Sequence, residues 1–288
     1  MTIGITLLVV ALVALLGCAV LAAASAASGA VRVAPVAPAG APPGPGWRGA
    51  VAGASHGLLL VAGLALVGAL VVRTLLAGHA PWSNLHEVTQ AVAAALVASF
   101  LIAARNPSVR PLSPLVAVGG AGLVVLALQL PDDVVPLAPA LQAPLLLTVH
   151  VGAAIAAYAV TGLAFIATVG ELVQARVGDR LGILPSAATC RALAHRAVLV
   201  AFPLLTMAIA LGSVWANLAW RSYWNNDPKE LAAAGTWLIY AAYLHVAGRS
   251  DRAGRLAPWL LVAGFAAVLF TFLGASLLFP GQHSYAGV

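Results

Sequence analysis

At 288 residues, 62% of them apolar and only 8% charged, with a mean hydropathy of +1.01, the chain has too little polar surface to cover a water-soluble core. Soluble domains carry about 25% charged residues, so this composition excludes them and describes a polytopic membrane protein built from spans of about 20 residues. The net charge of +6 sits in short loops between apolar runs, which argues against nucleic acid as a partner, and Cys18 and Cys190 form no disulfide framework, zinc site or thiol-redox pair.

Apolar runs at 3–28, 50–72, 87–104, 114–130, 142–175, 193–215, 232–248 and 257–279 predict an all-α bundle of eight transmembrane helices. The first run lacks a basic leader and is longer than the 7–15 residues of a signal h-region, so it reads as a retained helix. Residues 33–46, VAPVAPAGAPPGPG, hold five of the 18 prolines and read as a structureless linker. The chain thus divides into an N-terminal helix and linker (1–49) and a membrane domain (50–288). In PWSNLHEVTQ, Ser83, Asn84 and Glu87 read as a capped helix start, with His86 within it. Loop charges set the orientation. Eleven of the 14 basic residues fall in alternate loops, against Arg73, Arg221 and Lys229 on the other side. By the positive-inside rule, both termini and the loops 78–86, 131–141 and 216–231 face outward from a plasma membrane. No internal repeat supports an inverted-repeat transporter.

Chemistry concentrates in residues 212–245, GSVWANLAWRSYWNNDPKELAAAGTWLIYAAYLH, which hold four of the seven tryptophans. An interfacial aromatic belt would account for Trp and Tyr at a headgroup level. It does not account for Asn217, Asn225, Asn226, Asp227 and the Pro-Lys-Glu turn set among them. The external loop, 212–231, reads instead as an aromatic platform with a polar edge, suited to a planar, mostly apolar ligand such as haem. Arg221 and Lys229 would pair with propionates, while Asp227 before Pro228 reads as the cap of the next helix. Imidazole commonly holds haem iron. His150, early in the span 142–175, and His283, in the outward tail, both reach the platform face. His245, late in the span 232–248, lies at a different depth and implies a second position. His56, His79 and His195 read as hydrogen-bonded residues near helix ends.

The stretch W-A-N-x-A-W-x-S-Y-W-x-x-D-P-K-E, followed by T-W-L-I-Y-A-x-Y-L-H, resembles the tryptophan-rich WWD signature of cytochrome c biogenesis proteins of the CcsA/ResC type. P-W-S-N-L-H-E resembles the family's outer-loop pattern, with His86 where tyrosine is usual, and G-Q-H-S-Y resembles its C-terminal G-x-H-S-Y. The likeness covers most of residues 80–288. It departs at Asn225-Asn226, where the family has a small residue and a third tryptophan.

The resemblance implies a subunit of a System II cytochrome c synthetase that exports haem and presents it for attachment. Haem b would be the substrate, ligated by His150 and His283 and packed against Trp215, Trp220, Trp224 and Tyr223. Arg221, Lys229 and Asp227 would line its edge, and His245 would belong to a transmembrane site completed by a Ccs1/ResB-type subunit. Further implied partners are an apocytochrome c carrying Cys-x-x-Cys-His and a thiol-disulfide reductant protein. No side chain here reads as a catalytic acid or base, because the reacting thiols belong to the apocytochrome. The alternatives are a membrane b-type cytochrome, a System I-type haem delivery protein, and a haem-free transporter with an interfacial tryptophan loop.

Overall fold

The computed structural model of the chain describes residues 2–30, 47–134, 144–249, 254–279 and 281, and within them every regular element is helical. The long helices are α1 (Thr2–Ala30), α2 (Trp47–Ala77), α3 (Leu85–Ala103), α4 (Ser113–Gln129), α5 (Pro144–Val177), α6 (Ala187–Trp220), α7 (Pro228–Val246) and α8 (Ala257–Leu269). In hydrocarbon each backbone N–H and C=O must find its partner inside its own segment, and helix is how such apolar sequence does so. The eight helices match the eight expected runs, and seven of the described helices are long and apolar enough to cross a membrane. The exception, α7, carries Lys229, Glu230, Thr236, Tyr240, Tyr243 and His245 along its 19 residues.

That polarity is largely turned inward. Thr236, Tyr240 and Tyr243, four and three residues apart, share one face of α7 and are 0%, 1% and 3% exposed. Each meets a different helix. Thr236 Oγ1 lies 3.0 Å from Thr271 Oγ1, and Tyr243 Oη lies 3.2 Å from His195 Nδ1 on α6. The Tyr240 ring rests on the bare backbone of Gly264, where a Cβ would come within 3.0 Å of it. Hydrogen bonds and small residues replace the hydrophobic effect as the glue between helices in a membrane.

The antiparallel pair α5 and α6, 34 residues each, runs through the centre and is about 50 Å long, well beyond a bilayer's hydrocarbon. Helices α3 and α8 pack on α5, α7 joins α6 to α8, and α1 sits against α2 and α4. Phe100, Leu112, Val116, Leu163, Val198 and Leu261 lie in one continuous core. Beyond α8 a π turn, Phe270–Gly274, and a short helix, Ala275–Leu278, lead toward the C-terminal tail.

At the end of the bundle where α2 stops and α3 begins, one guanidinium ties three segments together. Arg73 Nε donates to Glu87 Oε1 at 2.6 Å, and its two terminal nitrogens donate to the carbonyls of Asp132 and Asp133 at 2.5 and 2.8 Å. Glu87 Oε2 accepts from both the amide and the hydroxyl of Ser83 at 2.8 Å. Asn84 caps α3 by accepting from the Glu87 amide at 2.9 Å, as its position in the sequence predicts. Arg73 is therefore no solvated loop charge; it is 8% exposed, with a Glu87 that is fully buried.

Candidate functional site

Three elements converge at this same end: the first turns of α5, the last turns of α6, and the loop leading into α7. The external loop was expected over 212–231, but α6 continues through Trp220 and the connecting loop is only 221–227. Helix α6 stops at Arg221, which takes a left-handed conformation with φ of 61° and donates its amide to the Asn217 carbonyl at 3.1 Å.

His150, two turns into α5, faces α6 at a point where α6 has no side chain. The imidazole lies over Gly212, where a Cβ would sit 2.6 Å from Cε1 and 3.0 Å from Nδ1. This close approach brings Nδ1 to 2.7 Å from the Ala208 carbonyl. A carbonyl only accepts, so Nδ1 holds the proton and the lone pair of the neutral ring is on Nε2. The ring also runs parallel to Trp215, with centroids 6.2 Å apart and 9° between planes. Trp215 in turn takes the edge of Trp220 at 4.7 Å. Such offset and edge-on pairs fit the quadrupoles of aromatic rings. Trp215 is 1% exposed and packs with Leu147, with Trp82 and Trp220 against the same cluster.

The loop is an exposed rim to this buried group. Tyr223 and Trp224 are 58% and 41% exposed. Ser213 Oγ donates to the Tyr223 carbonyl at 2.8 Å, tying the loop back to α6, and Trp224 Nε1 donates to Asn226 Oδ1 at 2.8 Å. Asn226 takes a left-handed conformation with φ of 56°, which asparagine tolerates better than most residues. Asp227 is the cap its sequence position predicts. It accepts from the Lys229 amide at 2.9 Å while Glu230 accepts from the Asp227 amide at 3.2 Å, completing a capping box. Glu230 also accepts from the Asn225 amide at 2.8 Å. Lys229, outside the 232–248 span, has its ammonium held below the usual range by burial, with the Asp227 carboxylate opposing that shift.

A cleft of about 430 Å³ opens between Asn225, Asn226, Asp227, Pro228 and Gly281. A Cβ on Gly281 would lie 2.5 Å from Asp227 Oδ2, so Gly281 lies directly against the cap of α7. His283 itself lies outside the described residues. The structure brings His150, Trp215 and Trp220 into contact and sets Arg221, Tyr223, Trp224, Asp227 and Lys229 around them on the loop and the head of α7. His245 is not among them. It is exposed at the far end of α7, about 25 Å along the helix axis from Pro228. His195 stands there beside Tyr243, but on the buried side of α7, opposite to the exposed His245.

Two participants were not among the expected site residues. Gly212 is a helical glycine in a span, and only its register against His150 shows its use. Trp82 lies 133 positions from Trp215, and no local pattern links them.

The family described as Cytochrome C assembly protein matches residues 56–283 of this chain. The chain belongs to that family. It is 32% identical to the cytochrome c biogenesis protein CcsA of Synechocystis sp. (strain ATCC 27184 / PCC 6803 / Kazusa), over 82% of this chain and 88% of the relative. It is 34% identical to the CcsA protein of Synechococcus sp. (strain CC9311), over 79% and 86%, and 33% identical to that of Gloeothece citriformis (strain PCC 7424), over 78% and 85%. The matched region takes in α3 to α8 and the whole site, which makes this a multi-pass membrane protein of cytochrome c biogenesis.

Proposed function

We propose that this chain presents haem at the His150–Trp215–Trp220 end of the bundle for covalent attachment to apocytochrome c outside the membrane. It would act as the CcsA/ResC-type subunit of a System II cytochrome c synthetase. The observation that carries this reading is the His150 hydrogen bond to the Ala208 carbonyl at 2.7 Å. Metal-ligating histidines characteristically donate their second ring nitrogen to a carbonyl, which fixes the tautomer and orients the lone pair. The same ring lies parallel to Trp215, which takes Trp220 edge-on, so the imidazole stands beside the flat apolar surface a porphyrin needs.

On this reading Nε2 of His150 would hold the iron together with His283, two residues beyond Gly281. Trp220 and the exposed Trp224 give flat apolar surface to the porphyrin, and Arg221 and Lys229 neutralise its propionates. The apocytochrome supplies two thiols. Each S–H adds across a haem vinyl group, forming a C–S bond and placing the hydrogen on the vinyl carbon, so no oxidant is consumed. The protein's part is to orient the reactants and exclude water. His245, exposed near the end of α7, is available to a Ccs1/ResB-type subunit, as a site shared between two chains requires.

The test is formation of covalent haem in cells lacking their own maturation system. The chain, a Ccs1/ResB-type subunit and an apocytochrome c are produced together, and haem bound to denatured cytochrome is measured. Covalent haem that disappears with His150→Ala supports the reading. Covalent haem undiminished in His150→Ala refutes the assigned site.

A further inference from the structure

Trp82, together with Val151 of α5, bridges two apolar clusters of the bundle. On one side it packs against the Leu147–Trp215 cluster beside His150, and on the other against the Leu85, Val92, Ile155 and Phe272 cluster between α3, α5 and the π turn after α8. The segment that carries it is short and fully determined. Trp82 donates its own amide to the Ala80 carbonyl at 3.0 Å. The next residue, Ser83, gives both its amide and its hydroxyl to Glu87 Oε2. Glu87 is locked by Arg73, and Arg73 by the carbonyls of Asp132 and Asp133. His86 Nδ1 fixes the same turn to the Ala127 carbonyl of α4 at 2.7 Å. A buried charge is costly unless paired and hydrogen-bonded, so an arrangement this complete is one the sequence must maintain in full.

We propose that Trp82 is a positioning residue for His150, closing the α3 side of the site, and that the Arg73–Glu87 pair is the clasp that holds it there. The inference deepens the haem reading and takes its functional meaning from it. Its geometry stands on packing alone. Without the indole, the Leu147–Trp215 cluster loses a wall, and His150, whose ring lies parallel to Trp215, gains freedom. Loosening the clasp frees the Trp82 segment and has the same consequence at one remove.

The experiment uses the full chain purified in detergent and reads carbethoxylation rates of individual histidines by mass spectrometry. His195, at the opposite end of the bundle, is the internal control. Trp82→Ala removes apolar burial at that cluster and is expected to speed modification of His150 by about three- to tenfold, with His195 unchanged. Trp82→Phe restores most of the protection, and Glu87→Gln gives a smaller rise at His150. An unchanged His150 rate in Trp82→Ala, or an equal rise at His195, overturns the proposal. A haem spectrum of the same samples separates the two readings. Wild type without haem removes the haem reading and leaves the difference in His150 protection standing.

Discussion

Gly212→Ala isolates the positioning of His150 from the stability of the protein. The added Cβ would lie 2.6 Å from Cε1, 3.0 Å from Nδ1 and 3.4 Å from Nε2 of the imidazole. Carbon contacts settle near 3.5–4.0 Å, so the ring must retreat by about 1 Å. That stretches the 2.7 Å bond from Nδ1 to the Ala208 carbonyl past the distance at which a hydrogen bond persists. The loss of that bond costs about 0.5–1.5 kcal/mol. Against it, alanine in a helix interior is favoured over glycine by about 0.5–1 kcal/mol. The two nearly cancel, so thermal unfolding in detergent should change by no more than a few degrees. The ligand geometry has no such compensation. Haem absorbance per protein is expected to fall as far as in His150→Ala, with added imidazole recovering part of it. A Gly212→Ala protein with wild-type absorbance would refute the claim that this glycine exists to admit the ring.

Other substitutions probe separate links. Arg73→Met leaves Glu87 buried without its partner and should cost about 3–5 kcal/mol, while the double change Arg73→Met/Glu87→Leu should recover most of that loss in a thermal scan. Asp227→Ala removes the cap of α7 and should cost about 1 kcal/mol, whereas Asp227→Asn keeps an acceptor and should cost less, both read from unfolding midpoints. At Asn226, glycine should be neutral, while valine, forced to the same positive φ, should cost about 1–2 kcal/mol and raise proteolysis of the loop. His245→Ala alters an exposed side chain, so stability and the spectrum assigned to His150 should persist while cytochrome c yield with the partner subunit falls.

The eight helices were legible, and seven of them as spans, because hydrocarbon imposes one rule on every segment and apolar length reports it directly. The caps at Asn84 and Asp227 were legible for a similar reason, since each is decided within four residues of chain. The tryptophan-rich segment also declared itself, but its organisation did not. Trp215 to Trp220 looked like loop because polar and aromatic residues interrupt the apolar run, yet they form the last turns of α6, with Trp215 and Ala216 buried. What the sequence could not show is anything set by register between distant helices. Gly212 under His150, Trp82 against the Trp215 cluster, and Arg73 buried on Glu87 all depend on how helices meet. Arg73 shows the limit most clearly: by position it is a loop charge, and by contact it is an internal tie.

The most direct test of the account is the absorption spectrum, oxidised and reduced, of the purified chain produced together with a Ccs1/ResB-type subunit, comparing wild type with His150→Ala. The account predicts a six-coordinate b-type spectrum in wild type that is weakened by His150→Ala and restored by imidazole. Wild-type protein without haem, or a spectrum that His150→Ala leaves untouched, would contradict it.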